Sequence, residues 1–194
     1  MGILGRLIAN RRAGDADSAW NRRNLQGPDV LNVSSGEFND GERLPLECVS
    51  TRVGGKNRSP SLLWNDLPPD TRNLILVVED LDVPVGKPFI HCLAIVDPTR
   101  LTSPDRMAMG ALSESDPAAG VRLMRSTLGR GYQGLYPPKG HGPHHYTFQL
   151  FACTQPFIDL FNGNEPDRLK PRDVLAQITS PVIGRGRLTG TYQR

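Results

Sequence analysis

Five side chains able to do polar chemistry recur at the ends of apolar runs in this 194-residue chain. Asp80 and Asp82 follow one run, His91 lies inside the next, and His144 and Tyr146 open a third. Pro84 and Pro137 are candidate walls. An imidazolium, a phenol hydroxyl and loop N–H groups can hold an oxyanion such as a phosphate ester. The two carboxylates are expected to raise the histidine pKa values and to accept an ammonium group. A site of both signs suits a zwitterionic head group. Each residue alone has a blander reading. Paired aspartates after a strand commonly form turns, and a lone strand histidine is commonly a hydrogen-bonded core residue. Two carboxylates and a histidine come from neighbouring strand ends, and the second histidine arrives from a proline-stiffened loop, which favours the joint reading.

Other chemistries fit less well. Two aspartates and two histidines would suit zinc or a non-haem iron. His141, His144 and His145 have the spacing that converges on a helix, but Gly140, Gly142 and Pro143 forbid one there. On a strand His144 and His145 diverge, so no metal is expected. An Asp–His pair can activate a serine, which keeps a hydrolase as an alternative. The chain has no G-x-S-x-G elbow and no serine beside these residues. No glycine-rich phosphate loop opens a helix. Non-enzymatic binding without a cofactor is the expectation.

The elements that position these groups are strands and a stiff loop. Residues 129–143 hold five glycines and three prolines, too many for a regular element. From His144 the pattern turns to a strand, with His144, Tyr146, Phe148 and Leu150 on one face and His145, Thr147, Gln149 and Phe151 on the other. Residues 73–79 (NLILVVE) and 89–96 (FIHCLAIV) read as buried strands paired in a hairpin, with Asp80 and Asp82 facing the same way. Short extended runs are expected at 31–33 and 44–50, and Pro60, Pro68 and Pro69 argue against helix around Trp64, read as a core anchor. Residues 97–128 give little signal beyond a turn of helix near Met107. A helix starts at Pro171, buries Val174, Leu175 and Ile178, and should kink at Pro181.

Twenty glycines and seventeen prolines, scattered in turn-like clusters, favour a loop-rich β protein over a disordered one. The net charge of +3 and 6% aromatic content give no footprint for nucleic acid. Cys48, Cys92 and Cys153 are odd in number, far apart and in apolar surroundings, so they read as reduced core residues. No apolar run spans a membrane and no secretory leader is evident, which points to the cytoplasm. Residues 1–29 read as an extension, with Ile3, Leu4, Leu7 and Ile8 on one face of a short helical arm, and 30–194 as the domain. An interaction scaffold working through this arm is a second alternative.

Five ordered pieces then match a known family: NRSPSLLW (57–64), DLDVP (80–84, a D-x-D-x-P motif), His91, GYQGLYPPKGHGPHHY (131–146) and LTGTY (188–192). The chain resembles the phosphatidylethanolamine-binding, or Raf-kinase-inhibitor-like, proteins, most closely their bacterial and archaeal branch. The resemblance implies a mainly β fold, a Greek-key antiparallel β-sandwich with a few peripheral helices. It implies an anion site of Asp80, Asp82, Pro84, His91, Pro137, His144 and Tyr146, closed by Tyr192. It implies phosphate or phospholipid head groups as ligands, a possible kinase as protein partner, and a homodimer. The family's arginine after the second histidine is His145 here; its side chain leaves the pocket face, so the head-group site should tolerate the change. Leu135 replaces a family proline, and Arg125-Ser126-Thr127 replaces an asparagine-rich segment, which bears on loop shape.

Overall fold

The computed structural model describes residues 8, 10–161 and 166–194. The helical face expected for Ile3, Leu4, Leu7 and Ile8 lies almost wholly outside them. Among these residues eight strands form two antiparallel sheets. Strands β1 (Asn32–Ser34), β2 (Leu62–Asn65) and β5 (Arg106–Met107) make a small sheet in the order β1-β2-β5. Strands β3 (Asn73–Asp80), β4 (Phe89–Val96), β6 (Val121–Leu123), β7 (His144–Cys153) and β8 (Val182–Tyr192) make a larger one in the order β6-β4-β3-β7-β8. The expected hairpin is present, with Leu74 opposite Val96 and Val77 opposite Leu93.

The central strand β3 is buried at all eight positions, and this explains its unbroken apolar run. A strand covered on both faces has no reason to alternate. Leu74, Leu76 and Val78 face the small sheet, packing with Cys92, Phe148, Leu150, Leu62 and Trp64. Ile75 and Val77 face the opposite way, where Ala19, Leu25, Leu160, Val174 and Leu175 cover them. Each such side chain contributes about 1.5–3 kcal/mol of transfer free energy. The short helix α1 (Pro171–Ala176) and two single 3-10 turns, Ala19–Asn21 and Arg23–Leu25, therefore form a third layer. Trp64 is the expected anchor, 1% exposed with its Nε1 donating to Pro104 O at 3.0 Å. Burial pushes the Cys48 and Cys153 thiols up to about 12, as inert core thiols require.

Three local expectations change. Residues 44–50 are not a continuous strand. After Pro45 the chain coils into a 3-10 turn at Leu46–Cys48, and it meets other segments through single bridges at Arg43 and Val49. Around Met107 there is no helical turn but the two-residue edge strand β5, paired to Leu62 and Leu63. Helix α1 ends at Ala176, so Pro181 falls after it and kinks nothing.

Glu79 is wholly buried on the face away from the small sheet. It accepts from Ala19 N at 2.7 Å, Gln149 Nε2 at 2.9 Å and Arg172 Nη2 at 3.2 Å. Burial pushes its carboxyl above the usual range despite these donors. Removing one member of a buried pair strands the other charge. Arg172→Met is expected to lower unfolding free energy by about 3 kcal/mol in urea titrations. The double variant with Glu79→Met should recover only part of that loss, because Ala19 N and Gln149 Nε2 lose their acceptor.

Candidate functional site

The end of β3 and the start of β7 lie side by side, with Asp80 opposite Tyr146. This register delivers a carboxylate to the strand that carries both His144 and Tyr146. Asp80 is 2% exposed and accepts from His144 Nδ1 at 2.8 and 2.9 Å and from the Asp82 amide at 2.9 Å. That last bond is an Asx turn, and it ends the strand. The two aspartates consequently do not face the same way, as extended geometry would have them. Asp82 turns toward His145, whose amide and Nδ1 lie 2.6 and 2.7 Å from Oδ2, while Arg12 donates to Oδ1. Burial alone would raise the Asp82 carboxyl, but these donors outweigh it and hold it below the usual range. The side chain of His145 does leave the pocket face, half-exposed, and it takes Asp82 with it.

His91 reaches the same place by a different device. Cys92 pairs with Val78 and packs toward the small sheet, whereas Ile90 pairs with Glu79 and packs toward the third layer. His91 is the extra residue of a β-bulge between them. Strict alternation with Leu93 and Ile95 would have sent its ring to the far face. The bulge re-aims it, so that it meets the Tyr146 ring edge-on at 5.3 Å between centroids. Tyr146 in turn stacks on His144 at 6.2 Å. His91 and His144 therefore share one side of the sheet.

The proline-rich loop fastens His91. His91 Nδ1 donates to Gln133 O at 2.7 Å, and Gln133 N donates to His91 O at 2.9 Å. Asn57, at φ +53°, accepts from Gly134 N at 2.6 Å and donates to Tyr132 O at 3.3 Å. A Cβ on Gly134 would stand 2.6 Å from Asn57 Oδ1 and 2.7 Å from Ser50 N, so only glycine permits this approach. Asn57 opens the matching piece NRSPSLLW, and its role is to hold the loop that holds His91. Pro137 is buried, and its carbonyl accepts from Arg194 at 3.4 Å. Pro84 is half-buried in the turn after Asp82. Tyr192 lies opposite His144 on β8, 8% exposed, with Arg43 over its ring at 5.2 Å.

His141 is the participant that sequence reasoning missed. The helix argument was sound, since none forms, yet the loop itself brings His141 Nδ1 within 2.7 Å of His144 Nε2. His141 Nε2 then faces Ile8 O at 2.9 Å and Arg11 O at 3.2 Å. Three contacts in series, from Asp80 to those carbonyls, each need one proton. Both ring nitrogens of His144 are thereby engaged within the protein. Among the described residues no group of three or more His, Cys, Asp or Glu side chains is arranged to hold a metal.

Two polar atoms remain open. The Tyr146 hydroxyl is fully buried and meets no acceptor in hydrogen-bonding geometry among the described residues, although the Asp80 carboxylate lies near enough to attract its proton. Burial, reinforced by nearby Asp80, pushes its pKa up and keeps it a donor. His91 Nε2 makes no hydrogen bond among the described residues. The expectation that carboxylates would raise the histidine is reversed at this residue: burial outweighs Asp80 and lowers the His91 pKa. The ring is neutral at pH 7, carries its proton on Nδ1, and presents a lone pair at Nε2.

Comparison with known proteins identifies the family. Residues 34–193 match the family model for phosphatidylethanolamine-binding proteins. A UPF0098 protein of Aquifex aeolicus is 28% identical over 193 residues, 99% of each chain, so the likeness extends through the N-terminal segment. Escherichia coli YbhB, also a UPF0098 protein, is 33% identical over 138 residues, covering 69% of this chain and 84% of its own. Among solved structures, Escherichia coli YbcL superposes with a TM-score of 0.70 at 26% identity, over 85% of this chain and 99% of its own. Its two antiparallel sheets, its few helices and the match over most of its length make this chain a member of the phosphatidylethanolamine-binding protein family.

Proposed function

We propose that the protein is a non-enzymatic binder of small oxyanions, of the kind carried by phosphate esters and phospholipid head groups. The observation that carries this reading is the unpaired Tyr146 hydroxyl, fully buried between two imidazoles. A buried donor without an acceptor costs about 1–3 kcal/mol, and an oxyanion relieves that cost. His91 Nε2 supports the same ligand. As a lone pair it accepts from a protonated oxyanion, and once protonated it donates to a bare one. Family membership adds a general ligand-binding role. With the reading go the expectations of a homodimer and restraint of a kinase-type partner, carried by resemblance alone, and of a cytoplasmic location.

An acid–base enzyme is the rival reading, and the Asp80–His144–His141 series is what favours it. That series ends on the backbone carbonyls of Ile8 and Arg11 rather than on an open ligand position. It is engaged in holding the N-terminal segment. The scaffold reading fares similarly, because Arg12, Ala13 and Gly14 are bonded to the protein's own domain.

Tyr146→Phe separates binding from structure. Deleting an unsatisfied buried hydroxyl should leave the ligand-free protein as stable or about 1 kcal/mol more stable. The same change should weaken methyl phosphate binding about tenfold in calorimetric titrations. A variant that loses stability and keeps its affinity contradicts the proposal.

The pH dependence follows from the lowered His91 pKa. The free site lacks the proton that the occupied site needs, so binding takes one up. Affinity for methyl phosphate should therefore fall as pH rises from about 6 to about 8.5. His91→Gln should flatten that fall in the same titrations.

A further inference from the structure

A second recess lies where the start of α1 meets the turn before β4 and residues 125–127. None of Asp80, His91, His144 and Tyr146 lines it. Its volume is about 640 Å³, within the range of about 300–1,000 Å³ usual for small-molecule sites. Hydrogen bonds join its three walls. Arg172 Nη2 donates to Pro88 O at 2.6 Å, tying α1 to the turn. Thr127 Oγ1 accepts from Ile90 N at 3.0 Å, and Thr127 N donates to Ile90 O at 2.9 Å, tying residues 125–127 to β4. The recess is therefore built in advance of any occupant, from segments far apart in sequence. Its lining is of two kinds. Val85, Pro88, Phe89 and Pro171 supply apolar surface, and Val85 is left 48% exposed. Lys87, Arg125 and Lys170 stand exposed around that surface. Arg172 is already paired with Glu79, and Asp173 is the one acid of the lining. Lys87 also lies 3.7 Å from Asp17, but both side chains are exposed and such a pair is weak. Positive charge is thus in excess beside an apolar floor.

We propose that this recess is a second binding site, for an organic anion: an aromatic or alkyl body that carries a carboxylate, sulfonate or phosphate. The body lies against Val85, Phe89 and Pro171, and the anionic group meets Arg125 and Lys170 at the rim. Arg125 Nη1 donates to Arg168 O at 3.3 Å, which holds the guanidinium in place and leaves its other donors for the ligand. A neutral molecule of the same shape covers the apolar floor but leaves the cations unpaired, so charge decides between the two. The inference stands apart from the oxyanion reading, because the two sites share no residue.

The test uses the full chain and a matched probe pair, anilinonaphthalene sulfonate and the uncharged N-phenylnaphthylamine. Fluorescence gives the affinities and amide NMR shifts give the location. The sulfonate should bind saturably and more tightly than the amine, with shifts centred on residues 85–89, 125–127 and 170–173. The double variant Arg125→Glu, Lys170→Glu changes two exposed side chains and should keep the parent's unfolding midpoint. It should weaken the sulfonate about tenfold and leave the amine within about twofold. Equal sulfonate affinity in parent and double variant, shifts centred elsewhere, or no saturable binding overturns the inference. Shifts of the same amides that grow with protein concentration and without probe assign the recess to a second copy of the chain, and overturn it too.

Discussion

The pairing of Asp80 with His144 is the constraint from which the site is built. A carboxylate with 2% exposure needs donors, and Asp80 finds them on the neighbouring strand and in its own turn. The bond to the Asp82 amide stops β3 and turns the chain toward His145. The bond to His144 fixes that ring, which then reaches His141, and His141 reaches the carbonyls of the N-terminal segment. One buried charge thus organises the end of a strand, a glycine-rich loop and a segment some seventy positions earlier. Buried polar groups that are fully satisfied specify a unique arrangement in this way.

The same satisfaction divides the site in two. Asp80, Asp82, His141 and His144 have their hydrogen-bonding capacity met internally and act as framework. Tyr146 and His91 do not, and each retains a polar atom without a partner in good geometry among the described residues. The bulge at His91 matters because it alone converts a residue of the wrong parity into a neighbour of Tyr146. Local irregularity, not regular pleating, creates the binding pair.

Which parts were legible in the sequence follows from how local each signal was. Strands β3, β4 and β7 are long and nearly wholly buried, so their apolar runs identify them without help. Strands β5 and β6 span two and three residues, too few for a period to register. The site residues Asp80, His91, His144 and Tyr146 could be grouped because they lie at strand ends that must be adjacent. The direction of Asp82 could not, since it depends on a turn that breaks the alternation. His141 was set aside on grounds of helix geometry, and it converges through loop geometry instead. Arg12 carries no local signal at all; a charge near the N-terminus looks the same whether it faces solvent or the Asp82 carboxylate.

The central claim is that an oxyanion enters between the Tyr146 hydroxyl and a neutral His91 and brings a proton with it. Nitrogen NMR of the His91 ring, recorded near pH 7.5 with and without methyl phosphate, tests it most directly. The account predicts a neutral ring protonated at Nδ1 in the free protein, with Nε2 shifting to a hydrogen-bonded or protonated signal on titration. A ring already doubly protonated without ligand, or an Nε2 signal unmoved at saturation, would contradict it.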